Sequence, residues 1–284
     1  MHCHEQILVV LTLASACSSK KAAPRATGDV VALRVIGELP RADAASAAWA
    51  TVDPVTVALL PQDLVEPRLM QSGVGELEVR ALHDDAWIAF RIEWKDATRD
   101  ALVGAGRFSD AVAIQLPVGS GPDATDPAMG IAGQPVAITV WKAAWQERGD
   151  PVAALRPNMP PYHYPYEAAT GGDRAVLERL YAPARGAGNP VTARDSDVAV
   201  QDLRAEGAGT ITAVPRVSTG QGSWSTGHWR VVIARPLAID PQSAPLRADR
   251  RANVAFAVWD GSLGHVGAKK MRTVWLPLRF EVSR

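Results

Sequence analysis

The sequence predicts an all-β protein, a β-sandwich of mostly antiparallel strands with a few short helices in the connecting loops. Three observations support this class. Apolar and polar residues alternate with a period of two in several segments, as in strands with one buried face. The 284 residues include 23 glycines and 21 prolines, which supply frequent turns. No long amphipathic helix alternates with the strands, which disfavours a parallel α/β sheet.

The clearest strands form a hairpin. Residues 77–81 (LEVRA) alternate apolar and charged side chains, and residues 88–94 (IAFRIEW) repeat the pattern after a turn at Asp84-Asp85. Aspartate favours such turns because its side chain bonds to the backbone two residues on. Apolar runs between glycine- and proline-rich turns predict further strands at residues 111–117, 134–141, 209–214, 229–237, 253–259 and 272–282.

One long connection interrupts this pattern between Gln146 and Val200. It contains the segment NMPPYHYPYE and a short helical stretch at residues 173–181. Connections of this length inside a domain are usually functional or cross one face of the fold. Because no internal repeat divides the rest of the chain, we expect residues 29–284 to form one domain.

The N-terminus predicts export. Residues 7–16 are largely apolar, too short to span a bilayer but suited to a signal-peptide core. The residues before Cys17 resemble a bacterial lipobox, which predicts a lipoprotein signal peptide at residues 1–16 and a lipid on Cys17. Residues 17–28 would then tether the domain to a membrane, and the protein would be periplasmic or lipid-anchored. An ordinary secretory signal cleaved after Ala16 is the alternative.

Composition excludes several function classes. Lysine and arginine total 30 and aspartate and glutamate total 30, so no basic excess favours a nucleic-acid partner. The two cysteines, Cys3 and Cys17, leave no disulfide framework, cysteine-ligated zinc or iron–sulfur cluster in the mature chain. Nucleophile-elbow, P-loop, HExxH and dinucleotide motifs are absent from the sequence. The sequence thus gives no positive case for a hydrolase or transferase.

Four segments carry a resemblance to a known family. They are RFSDAVAIQLP at residues 107–117, PAMGIAGQPVAITVWKAAWQ at 127–146, a third at 181–212 that contains AEGAGT and is followed by 220–237 with GxWxxGxW, and a fourth at 254–278 that contains FAVWDG. In this order they resemble the haem b-binding gamma subunits of periplasmic molybdenum enzymes such as ethylbenzene dehydrogenase, dimethylsulfide dehydrogenase, selenate reductase and chlorate reductase. The resemblance covers roughly residues 75–284.

The resemblance implies a β-sandwich that binds one non-covalent haem b with methionine and lysine as axial ligands. Its partners would be a molybdopterin catalytic subunit and an iron–sulfur subunit. Met129, in PAMG, matches the family methionine. Two lysines compete for the second position: Lys270, five residues before Trp275, fits the register better, and Lys269 is the alternative. Adjacent residues of a strand point to opposite faces, so only one of them can reach the iron.

These ligands would suit electron transfer. Axial ligand identity is a main control of haem potential, and a lysine amine ligates only when burial helps it to lose its proton. An iron with both axial positions filled by protein has no open site for substrate, so the resemblance implies an electron-transfer subunit without a catalytic site of its own. His163 and His228 are reserve ligands, and Arg107 or Arg235 could pair with a haem propionate.

Two alternatives remain open. The first is a surface carbohydrate-binding-type β-sandwich lipoprotein without haem, which would need Trp224 and Trp229 exposed and coplanar to stack on a sugar. The second is a structural subunit that kept the sandwich and lost its cofactor.

Overall fold

The computed structural model describes residues 28–102, 106–118, 127–147, 199–237, 246 and 252–281. Cys17, His163 and the predicted helix at residues 173–181 lie outside the described residues. Within the described part, helix is limited to one 3-10 turn at Ala47–Thr51 and one short helix, α1, at Ala143–Gln146. No helix there is long and apolar enough to cross a membrane.

Strands account for most of the regular structure, which confirms the predicted all-β class. In chain order the described strands are β1 (Val30–Arg34), β2 (Val55–Ala58), β3 (Leu60–Pro61), β4 (Glu76–His83), β5 (Trp87–Lys95), β6 (Ala111–Pro117), β7 (Val136–Lys142), β8 (Val200–Ala205), β9 (Thr212–Ala213), β10 (Thr219–Ser225), β11 (His228–Pro236), β12 (Ala252–Trp259), β13 (Met271–Arg272) and β14 (Leu276–Glu281).

The strands form two layers that share β12. The first layer runs β10-β11-β5-β4-β1-β14, with β2 also paired to β4. The second layer runs β9-β8-β7-β6-β12-β13-β3. Pairing is antiparallel except where β1 runs parallel to β4 and β14.

The main core lies between the two layers, because alternate residues of each strand point inward. Phe90 of β5 meets Phe256 of β12 edge-on, with ring centroids 6.0 Å apart. Trp141 of β7 likewise meets Trp229 of β11 at 5.0 Å. The approach of Trp141 requires a glycine on β10, because a Cβ at Gly222 would lie 2.4 Å from the indole ring.

The outer face of the second layer is also apolar. Along these strands, every second side chain points away from the main core. These outward side chains form a separate cluster, which consists of Ala113, Val136, Ile138, Val140, Leu203 and Ala205. A sheet that buries both faces needs a cover on its outer side. That cover is built from loops, and it encloses the candidate site described below.

Most predicted strands are confirmed, and two predictions were wrong in extent. The predicted hairpin is β4–β5, and residues 111–117 are β6. Only Thr212–Ala213 is strand within residues 209–214. The segment predicted as one strand at 272–282 is split into β13 and β14, because its register on β12 shifts by one residue between Arg272 and Leu276. A one-residue insertion of this kind is a β-bulge, which redirects a strand.

Candidate functional site: an alanine-floored cavity

A cavity of about 360 Å³ lies on the outer face of the second layer. Its floor is formed by Ala111 and Ala113 of β6 and by Ala255 and Ala257 of β12, where Ala257 lies opposite Ala113. Alternate residues on a strand point to the same face, so the four methyl groups form a shallow, flat area. The volume falls within the usual range for small-molecule and cofactor pockets.

Larger side chains close the floor at both ends. Gln115 lies opposite Ala255 at one end, and Trp259 lies opposite Ala111 at the other. On one side the wall comes from β7 and α1, where Lys142 lies over the Trp145 ring at 5.0 Å. The opposite wall is the segment that connects β12 to β13, together with the residues after β3.

Met129 enters the cavity from the loop that precedes β7. Its backbone has φ of 67°, a left-handed conformation that is uncommon for a residue with a side chain. One hydrogen bond holds it there: the Met129 carbonyl accepts from the Gly207 N–H at 2.9 Å. The next residue, Gly130, is also left-handed, with φ of 79°. A Cβ at Gly130 would lie 2.8 Å from the Gln134 carbonyl oxygen. Backbone strain of this kind is often retained where it positions a functional side chain.

Lys270 enters from the opposite wall. Its carbonyl accepts a hydrogen bond from the Gln62 N–H at 2.9 Å, and its Nζ lies 5.2 Å from the centre of the Trp259 ring. Burial lowers the pKa of Lys270 to about 8, and the nearby charge of Arg272 lowers it further. Both effects favour the neutral amine, which is the form that can ligate a metal.

Lys269 is placed differently from its neighbour. Its side chain is exposed and does not line the cavity. The structure thus brings Met129 and Lys270 to one cavity and leaves Lys269 outside it.

The cavity combines an apolar body with positive charge. Lys142, Lys270 and Arg272 line it, and among the described residues Glu66 is the one acidic side chain in the lining. Arg272 is 8% exposed and forms an ion pair with Asp63 at the longer distance of 3.7 Å. Such a lining favours a ligand with an apolar body and anionic groups at its edge.

His265 is a cavity residue that the sequence did not single out. It is buried, and its Nδ1 accepts a hydrogen bond from the Asp260 N–H at 3.2 Å, which leaves the proton on Nε2. Burial lowers the pKa of His265 and so favours the neutral ring. Its place in the connection between FAVWDG and the two lysines is the only sequence signal for it.

Three buried carboxylates fix the loops around the cavity. Asp96, Asp110 and Asp260 bring oxygens within 4.8 Å of one another. Asp110 accepts hydrogen bonds from the Gly261 N–H at 2.8 Å and from the Trp229 indole at 2.9 Å. Burial raises the pKa of Asp110 to about 7, and burial together with the charge of Asp260 raises that of Asp96 to about 6.

Four other residues considered from the sequence lie elsewhere. Trp229 is buried in the main core and donates to Asp110, so it cannot form an exposed stacking pair with Trp224. Arg235 is buried beside Asp202 in a separate small pocket, and the exposed Arg107 does not line the cavity. His228 interacts through Nδ1 with the Thr226 carbonyl in the β10–β11 turn.

Fold and cavity together define a β-sandwich with a cofactor-sized site on one outer face. Residues 46–271 match the family model of ethylbenzene dehydrogenase, and the chain belongs to this family. It is also similar to a Haloferax mediterranei protein, ORF7, which is named as a proposed respiratory nitrate reductase heme subunit. The two are 22% identical over 278 residues, which cover 96% of this chain and 81% of the relative.

The solved structures that match this chain include a family 9 carbohydrate-binding module from Caldicellulosiruptor kristjanssonii. Its complex with glucose matches at 9% identity and a TM-score of 0.37, covering 89% of this chain and 97% of the module. The complex with cellotriose matches at 8% identity with the same TM-score, covering 90% of this chain and 94% of the module.

Proposed function

We propose that this protein is the haem-binding, electron-transferring subunit of a multi-subunit respiratory oxidoreductase. The observation that carries the proposal is the alanine-floored cavity, which both Met129 and Lys270 line. Membership of the ethylbenzene dehydrogenase family supports it, as does the similarity to a protein named as a heme subunit.

The residues of the cavity fit a non-covalent haem b. The alanine floor accepts a flat apolar ring, and the cationic side chains around it suit the two propionates. Met129 would hold the iron through its thioether and Lys270 through its neutral amine, so the chain itself would supply both protein ligands. When bound, the haem would supply one-electron redox chemistry.

The chain's own task is then to hold the haem and exclude other ligands. Lys270 must release the proton on Nζ before it binds, and its apolar surroundings and Arg272 make that release easier. The left-handed turn at Met129–Gly130 fixes the position from which the thioether approaches. Because the chain would supply both ligands of the iron, the subunit would transfer electrons without binding substrate.

The partners we propose are a molybdopterin catalytic subunit and an iron–sulfur subunit. We further propose that the protein is exported and anchored to a membrane by a lipid on Cys17, because residues 7–17 have the pattern of a lipoprotein signal. Labelled palmitate should be incorporated by the full chain in a bacterial host and not by Cys17→Ser. Equal labelling of the two would overturn the anchor.

Titration of the purified protein with haemin tests the function. We expect saturation at one haem per chain, a low-spin visible spectrum, a b-type pyridine haemochrome, and reversible one-electron reduction. A folded protein that stays colourless and does not change the haemin spectrum would refute the proposal. Glucose and cellotriose serve as comparison ligands, and binding of these sugars without haem would favour the carbohydrate-binding alternative.

A further inference from the structure

We infer that Gln115 anchors the haem by donating a hydrogen bond from its side-chain amide to a propionate carboxylate. This inference rests on the proposed haem-binding function. It assigns a haem contact to a residue other than the two proposed iron ligands. It concerns the end of the cavity floor opposite Trp259.

The side-chain amide nitrogen of Gln115 is buried and has no partner among the described residues. The residue lies in the middle of β6, lines the cavity and is only 8% exposed. Its Nε2 forms no hydrogen bond with any residue in the described part of the chain. Leaving such a donor unsatisfied costs stability, and each case in a folded protein calls for an explanation.

Another cavity glutamine shows the contrast. The side chain of Gln62 donates to the carbonyls of Val65 and Ala268, and its oxygen accepts from the N–H groups of Leu64 and Val65. Gln62 is therefore used by the fold itself. The amide of Gln115 instead remains available to a ligand.

The chemistry of haem b identifies the group that Gln115 can bind. The porphyrin edge carries methyl and vinyl groups, which accept no strong hydrogen bond, and two carboxylates, which do. The last torsion of a glutamine side chain is broad, so its NH₂ group can turn toward an acceptor in the cavity. On β12, Ala255 lies opposite Gln115 and Ala257 lies opposite Arg272. The small alanine side chains leave space between these two polar side chains. One carboxylate could thus meet both an amide donor and a cation.

Gln115→Leu tests the inference. Leucine has a similar size but no donor, so the apoprotein should be as stable as wild type or more stable. Haem loss to excess apomyoglobin should be at least about tenfold faster, as expected for a lost hydrogen bond to a charged group. Gln221→Leu, on the exposed face of β10, is the matched control and should leave the rate unchanged.

Haem dimethyl ester separates the carboxylate contact from a general packing effect. Its ester groups are neutral and accept hydrogen bonds more weakly. The ratio of variant to wild-type loss rates should therefore be about fivefold lower with this ligand than with haem, in line with the weaker bond of a neutral acceptor. An equal ratio for haem and its ester would overturn the inference.

The two proposals fail in different ways. If wild type binds haem and Gln115→Leu loses it no faster, the role of Gln115 is wrong while haem binding stands. If wild type binds no haem, the proposed function itself is wrong. A Gln115→Leu apoprotein markedly less stable than wild type would also contradict the inference, because it would assign the amide to the fold.

Discussion

The proposed role of Lys270 as a haem ligand predicts how haem affinity changes with pH. An ordinary lysine with pKa 10.5 is neutral in about one molecule in three thousand at pH 7, whereas a pKa of about 8 makes about one in ten neutral. The apolar wall and Arg272 thus reduce the cost of supplying a neutral amine by about 3 kcal/mol. Haem binding that uses this amine must still release one proton below pH 8.

Haem affinity should therefore depend on pH through Lys270. In wild type, the apparent affinity should rise by up to tenfold for each pH unit between pH 6 and 8, and level off above about 8. In Lys270→Ala this dependence should largely disappear, and the low-spin spectrum should be lost. The assay is spectrophotometric titration of the apoprotein with haemin across this pH range.

Two variants serve as controls. Lys269→Ala should behave as wild type, because the Lys269 side chain is exposed and outside the cavity. Lys142→Ala removes the rival amine that lines the cavity and should keep the pH dependence. If Lys269→Ala or Lys142→Ala abolishes the low-spin spectrum while Lys270→Ala keeps it, the assignment of Lys270 is refuted.

Three further predictions test the cavity and the loops around it. The ferrous haem of Met129→Ala should bind carbon monoxide, whereas the wild-type haem should not; carbon monoxide binding by wild type would show an open axial position. Ala257→Leu should weaken haemin binding at least about tenfold, because the larger side chain fills the floor of a cofactor-sized site. The control variant Ala58→Leu, on β2, should bind haemin as wild type does. The free energy of unfolding of the apoprotein, measured by urea titration, should fall as the pH rises from 5 to 7.5. The raised pKa values of Asp110 and Asp96 mean that the fold holds protons that the unfolded chain releases near pH 4; constant or rising stability would contradict this.

The sequence could predict strands that alternate cleanly, because one buried face imposes a period of two. It missed β10, where Gly220 and Gly222 break the pattern. These glycines serve tertiary contacts that no local pattern reports, since a Cβ at either would collide with β11 or with Trp141. The break between β13 and β14 has a similar cause, because the bulge depends on pairing with β12.

The site was only partly predictable for a related reason. Met129 and Lys270 were singled out through a resemblance, and both line the cavity. Their role as haem ligands stays a prediction. Residues 111–117 and 253–259 were predicted as strands, but nothing in them tells which face turns outward and forms the alanine floor. Gln115 could not be singled out, because only the packed strands show that its Nε2 is buried and unpaired among the residues that the structure describes.

A crystal structure of the haem-loaded protein would test the central claim most directly. We predict one haem on the alanine floor, with the iron between the Met129 sulfur and the Lys270 nitrogen and with Lys269 in solvent. A haem bound elsewhere on the molecule, or an iron ligated in this cavity by His265 instead of Lys270, would contradict the account.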